Sequence, residues 1–266
     1  ELNSQWKNND PLTKGNLPTL SAVLKDVSPV EDSGLKQKGS WAPRLHFVWN
    51  IILPILPKGD QNEGSSDEHI TKKRKKEKAK DVQVKMIEFP EFWKAVVDES
   101  FFNEKSSGER KYLGFLILEA AFKQVPLSLV SLLFSKNLMR TLINQSSDSK
   151  RILHKISQKA LASILELCEG NPDKTVPSIQ AMLFSENGTI NFDKLTKTKT
   201  VDLLVANSSM TPKHLSSLVD LFVSHLPDDP NEEAALTRFL LDSMLHVVRT
   251  HKTISDKTWV KPLITS

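Results

Sequence analysis

Apolar residues recur three and four positions apart through nearly the whole chain, and that period is the helical one. Leu17, Leu20, Val23, Leu24 and Val27 follow it. So do Leu153, Ile156, Ala160, Ile164 and Leu167, and again Leu215, Leu218, Val219, Phe222, Val223 and Leu226. No run of four or more alternating apolar and polar residues with β-branched enrichment asks for a strand. Nine glycines in 266 residues leave few positions for the tight turns of a β fold. Breakers separate the periodic stretches instead: Ser28-Pro29, Val125-Pro126, Gly170-Asn171-Pro172 and Pro227-Asp228-Asp229-Pro230. The expected fold is all-α.

Local signals place the helices. Ser40 is expected to cap a helix through Trp41, Leu45, Val48, Trp49, Ile52 and Leu56 that Pro54 and Pro57 close. Pro90 starts the next, with Phe92, Trp93, Val96 and Val97 inward. Ser106 and Glu109 read as a capping box for a helix to Gln124. That helix is apolar almost all round, so it must be buried on most sides. Short helices are expected over 127–134 and 136–145, a longer one from Asp148, and a loop over 186–200. Thr211-Pro212 opens a helix as N-cap and first residue. Asp229, with Glu232 at the third position, is expected to cap the last one. The unit from Thr211 to about His251 spans roughly 40 residues, the size of a HEAT or armadillo repeat. This suggests an armadillo/HEAT-like helical-repeat solenoid with degenerate repeats.

One stretch breaks the pattern. Lys58 to Lys80 is acidic and polar first, through Asp67-Glu68, and then becomes Lys72-Lys-Arg-Lys-Lys-Glu-Lys-Ala-Lys80. With almost no apolar residue it cannot offset the entropy of ordering. The expected organisation is N-terminal helical repeats over 1–57, a disordered charged insertion over 58–82, and a continuing solenoid over 83–266. The chain opens on Glu1 and reads as a piece of a longer protein, so a missing targeting signal says nothing. The longest apolar candidate, Tyr112 to Phe122, is interrupted by Glu119 and falls short of a membrane span. Cys168 is the single cysteine, which rules out an internal disulfide and fits a reducing compartment.

The usual catalytic signatures are absent. No two glycines make even a G-x-G, and no H-E-x-x-H, G-x-S-x-G or C-x-x-C occurs. His154, His214, His225 and His246 lie in amphipathic helices, where a place on the helix face is far commoner than a metal ligand. No enzyme activity, cofactor, metal or small-molecule substrate is expected of this segment. Binding is the better prospect. The net charge is +4, unevenly spread. Lys72, Lys73, Arg74, Lys75, Lys76, Lys78 and Lys80 form a run suited to a polyanion or a nuclear import receptor. Arg151, Lys155 and Lys159 fall on one helix face at i, i+4 and i+8, although an ordinary solvated face carries the same pattern. Lys194, Lys197 and Lys199 share a loop on the same terms. Trp41, Trp49 and Trp93 sit on apolar faces and are expected to pack in the core rather than stack on bases.

Three stretches together resemble the DNA polymerase phi family, also called the Myb-binding protein 1A family, and its fungal "DNA polymerase V" members most of all. They are Asp10-Pro-Leu-x-Lys-x-Asn-Leu-x-x-Leu20 with the following Val-Leu-Lys-Asp-Val-Ser; Trp41-Ala-Pro-Arg-Leu-His-Phe-Val-Trp-Asn-Ile-Ile-Leu53; and Phe92-Trp93 through Val97-Asp-Glu-Ser-Phe-Phe102 to Glu109-Arg-Lys-Tyr-Leu-Gly-Phe-Leu116. The resemblance covers roughly 10–125 by motif and the remainder by hydrophobic pattern. It implies a large nuclear, nucleolar protein of armadillo/HEAT-like helices acting in ribosomal RNA synthesis and ribosome assembly. Its implied partners are ribosomal DNA or RNA and ribosome-assembly or transcription proteins, with no membrane. Within its motifs Arg110 and Lys111 are the candidates for surface contacts. The Y-x-D-T-D-S palm motif of B-type polymerases does not occur. Two other readings stay open: a protein-binding transcription co-regulator that uses the basic run only for import, and a polymerase whose active site lies outside this segment.

Overall fold

A computed structural model describes residues 6–25, 44–59, 85–229, 233–261 and 263. Among them no sheet forms, and eleven α-helices carry the fold. They are α1 Leu17–Leu24, α2 Val48–Gly59, α3 Phe89–Phe92, α4 Gly108–Gln124, α5 Lys136–Ser146, α6 His154–Gly170, α7 Thr175–Leu183, α8 Phe192–Thr196, α9 Thr200–Val205, α10 Pro212–Val223 and α11 Ala234–Thr250. A π-helical segment, Trp93–Phe101, continues α3. Short 3₁₀ turns fill several connections, including Leu127–Leu129 and Ser131–Leu133 where short helices were expected. No helix among the described residues is long and apolar enough to cross a membrane.

The core is organised around α4. Phe115, Ile117, Leu118, Ala121 and Phe122 are buried, and Tyr112, Leu113, Leu116 and Ala120 are partly so, which leaves this helix only a narrow polar edge at Glu119 and Lys123. It packs against α2, the π segment, α6 and the turn at Leu133. Trp49 and Trp93 are buried as expected. Trp93 Nε1 donates to Leu133 O at 3.3 Å. Gly114 lets the Phe102 ring lie on the helix: an added Cβ would come 2.7 Å from its Cζ. The hairpin of α10 and α11 forms as expected, with Leu218, Phe222 and Leu240 buried and Phe239 packed against the core.

Several expected boundaries are corrected. The second helix starts at Val48, and Pro54 and Pro57 lie inside it rather than closing it. Burial of Leu53 and Leu56 offsets the hydrogen bonds the prolines forgo. Trp41 and the expected Ser40 cap lie outside the described residues. Ser107, not Ser106, caps α4, its Oγ accepting from Arg110 N at 3.3 Å. The helix expected from Asp148 starts at His154. Asp148 Oδ1 takes Lys150 N at 3.0 Å, and this local turn competes with the helix. The expected loop over 186–200 contains α8. The last helix starts at Ala234 with Glu233 at its N-cap position, not under Asp229.

The π segment has a clear sequence cause. Inward residues fall at Phe92/Trp93, Val96/Val97 and Phe101/Phe102, all buried. The last step is five residues, so an α period would turn Ser100 inward instead. Widening the turn keeps the phenylalanines inside, and Phe102 N reaches back five residues to Val97 O at 3.1 Å. The same widening places Asp98 beneath the start of α5. Its Oδ1 accepts from Ser135 Oγ at 2.6 Å, Asn137 N at 2.9 Å and Leu138 N at 3.0 Å, and its Oδ2 from Asn137 Nδ2 at 3.1 Å. A buried carboxylate thus supplies the helix cap from another element.

Backbone pairing ties the chain's early part to residues far along it. Lys14 N donates to Lys85 O at 3.0 Å and Ile87 N to Leu12 O at 2.7 Å, around an isolated antiparallel bridge between Thr13 and Met86. Lys14 Nζ lies 2.9 Å from both Glu88 and Glu91. Further on, the buried amide of Asn207 donates to Cys168 O at 3.0 Å and Thr175 Oγ1 at 3.1 Å, and so joins the ends of α6, α7 and α9.

Two predictions follow from this packing. Asp98→Ala should lower unfolding stability by about 2–4 kcal/mol, because it strands two amides at a buried helix start. The measurement is a denaturant midpoint at unchanged m, and an unchanged midpoint would show the cap to be dispensable. Burial pushes the Cys168 thiol up to about 11. Its stabilising contribution is therefore intact below pH 9 and is lost as pH rises towards 11. A disulfide-exchange reagent at pH 8 should label Cys168 only as fast as the protein opens, and prompt labelling would contradict the buried, protonated thiol.

Candidate nucleic-acid interface

The structure places the predicted cations in very different settings. The run from Lys72 to Lys80 lies outside the described residues. Arg110 is half-buried in the first turn of α4, and its Nε donates to Lys25 O at 3.2 Å, tying α4 to the end of α1. Lys111 is also half-buried, with Nζ donating to Glu104 O at 3.1 Å. These two residues first serve the fold.

The expected stripe is broken at its first member. Arg151 stands in the turn before α6, beside Ile152, which is 94% exposed. Lys155 and Lys159 lie one turn apart on α6, both exposed. Lys159 Nζ sits 3.5 Å from Glu119 Oε2, and Lys123 claims the other oxygen of that carboxylate at 3.3 Å. Exposed pairs of this kind contribute little to stability.

Lys194, Lys197 and Lys199 are all exposed. Lys194 is in α8, Lys197 is its C-cap in the left-handed region with φ 54°, and Lys199 is the N-cap of α9. Asp193 holds this bend. Its Oδ1 accepts from Val201 N at 3.0 Å and its Oδ2 from Asp202 N at 3.1 Å, which closes the start of α9. Burial raises the Asp193 carboxyl above its ordinary range, against the pull of these amides. The bend is thus a built element that presents lysines on a short, pinned backbone. Among the described residues, no hydrogen bond or ion pair joins the three groups of predicted cations to one another.

Sequence reasoning missed the cations and carboxylates that act across the fold. Lys174 is buried at 6% exposure, and its Nζ donates to Phe122 O and, at 3.4 Å, to Lys123 O. It closes the end of α4 and lies 5.3 Å over the Phe122 ring. Desolvation lowers its pKa. Three histidines are likewise tied to remote parts of the fold, His251 buried and His214 and His246 half-buried. His251 Nε2 is 2.8 Å from Val205 O, His246 Nε2 is 3.3 Å from Asp202 O, and His214 bridges Thr211 N and Asp173. No local signal marks any of these, since each partner lies 41 or more positions away, apart from Thr211, which sits three residues before His214.

A family model described as DNA polymerase phi matches residues 1–266. The chain belongs to the DNA polymerase phi family. The match extends the resemblance read over 10–125 to the whole segment. This DNA polymerase phi family chain is 51% identical to the rDNA transcriptional regulator POL5 of Saccharomyces cerevisiae, over 98% of its own length and 26% of that protein. It is 28% identical to the rDNA transcriptional regulator pol5 of Schizosaccharomyces pombe, over 98% of its length and 25% of the relative's. The chain therefore spans about a quarter of the length of the curated relatives it matches. No solved structure matches it.

If Asp193 pins the lysine-bearing bend, Asp193→Ala should cost about 1–3 kcal/mol of stability. It should also weaken binding of a labelled single-stranded RNA at low salt, read by fluorescence anisotropy. Unchanged values of both would mean the bend holds without it.

Proposed function

We propose that this segment is a non-catalytic helical scaffold that acts in ribosomal DNA transcription through contacts to nucleic acid and to transcription or ribosome-assembly proteins. The observation that carries the reading is 51% identity, across nearly the whole segment, to a protein named an rDNA transcriptional regulator. The work of such a protein is nuclear, and we place it in the nucleolus, where ribosomal RNA is made and assembled. Both named relatives are regulators, and we assign no polymerase reaction to this all-helical segment, whatever the family's description. The proposed organisation remains helical repeats over 1–57 and 83–266, of armadillo/HEAT type, around a charged insertion over 58–82.

The contacts proposed are the run Lys72 to Lys80, assisted by Lys155, Lys194, Lys197 and Lys199, which stand exposed without acidic partners among the described residues. Arg151 joins them at the turn before α6. A cationic run contacts phosphates and releases counterions, but it does not read base edges. Binding should be sequence-independent, with log affinity falling against log salt by roughly 0.7 per phosphate contact on single strands.

A second reading is favoured by one observation: Arg110 and Lys111 are engaged within the fold, and Lys159 is paired with Glu119 at the surface. In it the run serves nuclear import alone, and the segment binds only proteins. Replacing the seven cations of the run by Ser separates the two. The nucleic-acid reading expects weaker RNA binding at low salt and a flatter salt slope. Binding and slope that survive while nuclear entry is lost would leave the run as an import signal and remove the case for its contact with RNA.

A further inference from the structure

A recess of roughly 400 Å³ lies where the end of α1, the π segment and the first turn of α4 meet. Lys25, Lys105 and Arg110 line it, together with Ser100 and Ser106. One carboxylate, Glu99, shares the wall and lies 4.0 Å from Lys94, so three cations face one anion. Neither Lys25 nor Lys105 pairs with a carboxylate among the described residues. The bond from Arg110 to Lys25 O uses Nε and leaves the terminal amino groups of the guanidinium fork. That bond also fixes the fork, so less rotamer freedom is lost when it meets a ligand.

The serines add an independent sign. Ser100 Oγ and Ser106 Oγ are both shielded from solvent, and neither has a hydrogen-bond partner among the described residues. An unpaired buried hydroxyl costs about 1–3 kcal/mol. Packing alone would be served better by alanine at either position. Rotation about χ1 turns a serine hydroxyl towards the recess without moving the backbone, and here it gives up no bond. The α4 amides themselves are already occupied: Ser107 Oγ takes Arg110 N, and Glu109 folds back on the helix start. The recess therefore draws an anion through side chains and not through the helix end.

We propose that this recess is a phosphate seat that takes one backbone phosphodiester of a nucleic-acid strand. It rests on the nucleic-acid reading above and adds to it a contact of fixed geometry. A phosphodiester carries a single charge and acceptor oxygens arranged to meet a guanidinium fork, two ammonium groups and two hydroxyls. Such a seat sets the register of a strand on the protein and leaves sequence unread.

The test uses the 266-residue chain with the cations of Lys72 to Lys80 already replaced by Ser, so that the run does not mask the recess. A short labelled single-stranded RNA of mixed sequence is titrated at several salt concentrations, and thermal unfolding is followed in parallel. Lys25→Ala with Lys105→Ala should weaken binding about tenfold and reduce the salt slope by roughly 0.7 in all, the share of one phosphate contact. Restoring positive charge with Arg at both positions should recover most of the loss. Ser100→Ala with Ser106→Ala should weaken binding severalfold while leaving the melting temperature equal or higher, a combination that a purely structural role would not produce. Unchanged affinity and slope in both double variants overturn the proposal. So does calorimetric binding of inorganic phosphate without binding of RNA, which would make the recess a site for small anions. A parent chain that no longer binds RNA once the run is replaced also overturns it, while leaving the run's own role intact.

Discussion

A helix that is apolar over most of its circumference has to be covered on most sides, and α4, polar only along its Glu119–Lys123 edge, imposes that demand on its neighbours. Its apolar residues point most of the way round the axis, so α2, the π segment, α6 and the turn at Leu133 close in from different directions. Burying its flanks leaves its ends as a separate difficulty, because terminal amides and carbonyls cannot be left dry and unpaired. The chain meets it with side chains: Ser107 at the start and, from across the core, the Lys174 ammonium at the finish. Asp98 under α5 and Asp193 under α9 repeat the device. Charges buried this way are stabilising only while their partners stay in place. They tie elements that hydrophobic packing alone would leave free to slide.

This division explains what could be read from the sequence. The helical class, the burial of Trp49 and Trp93 and the α10–α11 hairpin were legible, because each follows from a local period or a local breaker. The π segment was not, although its five-residue step between Val96/Val97 and Phe101/Phe102 is visible once it is sought. The start of α6 was misplaced because an aspartate turn at 148–150 competes with a helix whose pattern is otherwise continuous. Pro54 and Pro57 misled for the opposite reason, since tertiary burial of their neighbours carried the helix through them. The tertiary caps had no sequence signature at all, because their partners are remote in the chain.

The same distinction sorts the basic residues. Charge content alone treats Arg110, Lys111 and Lys174 like any other cation, yet the fold employs all three internally. Lys155, Lys194, Lys197 and Lys199 remain outward, and the last three gain definition from the pinned bend between α8 and α9. Arg110 stands between the categories, since one nitrogen holds α1 while the rest of its fork borders the recess. The exposed cations are thus fewer, and more fixed in place, than net charge would suggest.

The pairing of Leu12–Lys14 with Lys85–Ile87 has a consequence for how proteins of this kind diversify. It seats the chain in the core immediately after residue 84, while α2 seats it just before residue 60. Whatever joins those points begins and ends on fixed ground. Doubling the length of such a connection costs only about 0.6 kcal/mol of closure entropy. A change in the length of that connection therefore carries little closure penalty to folding.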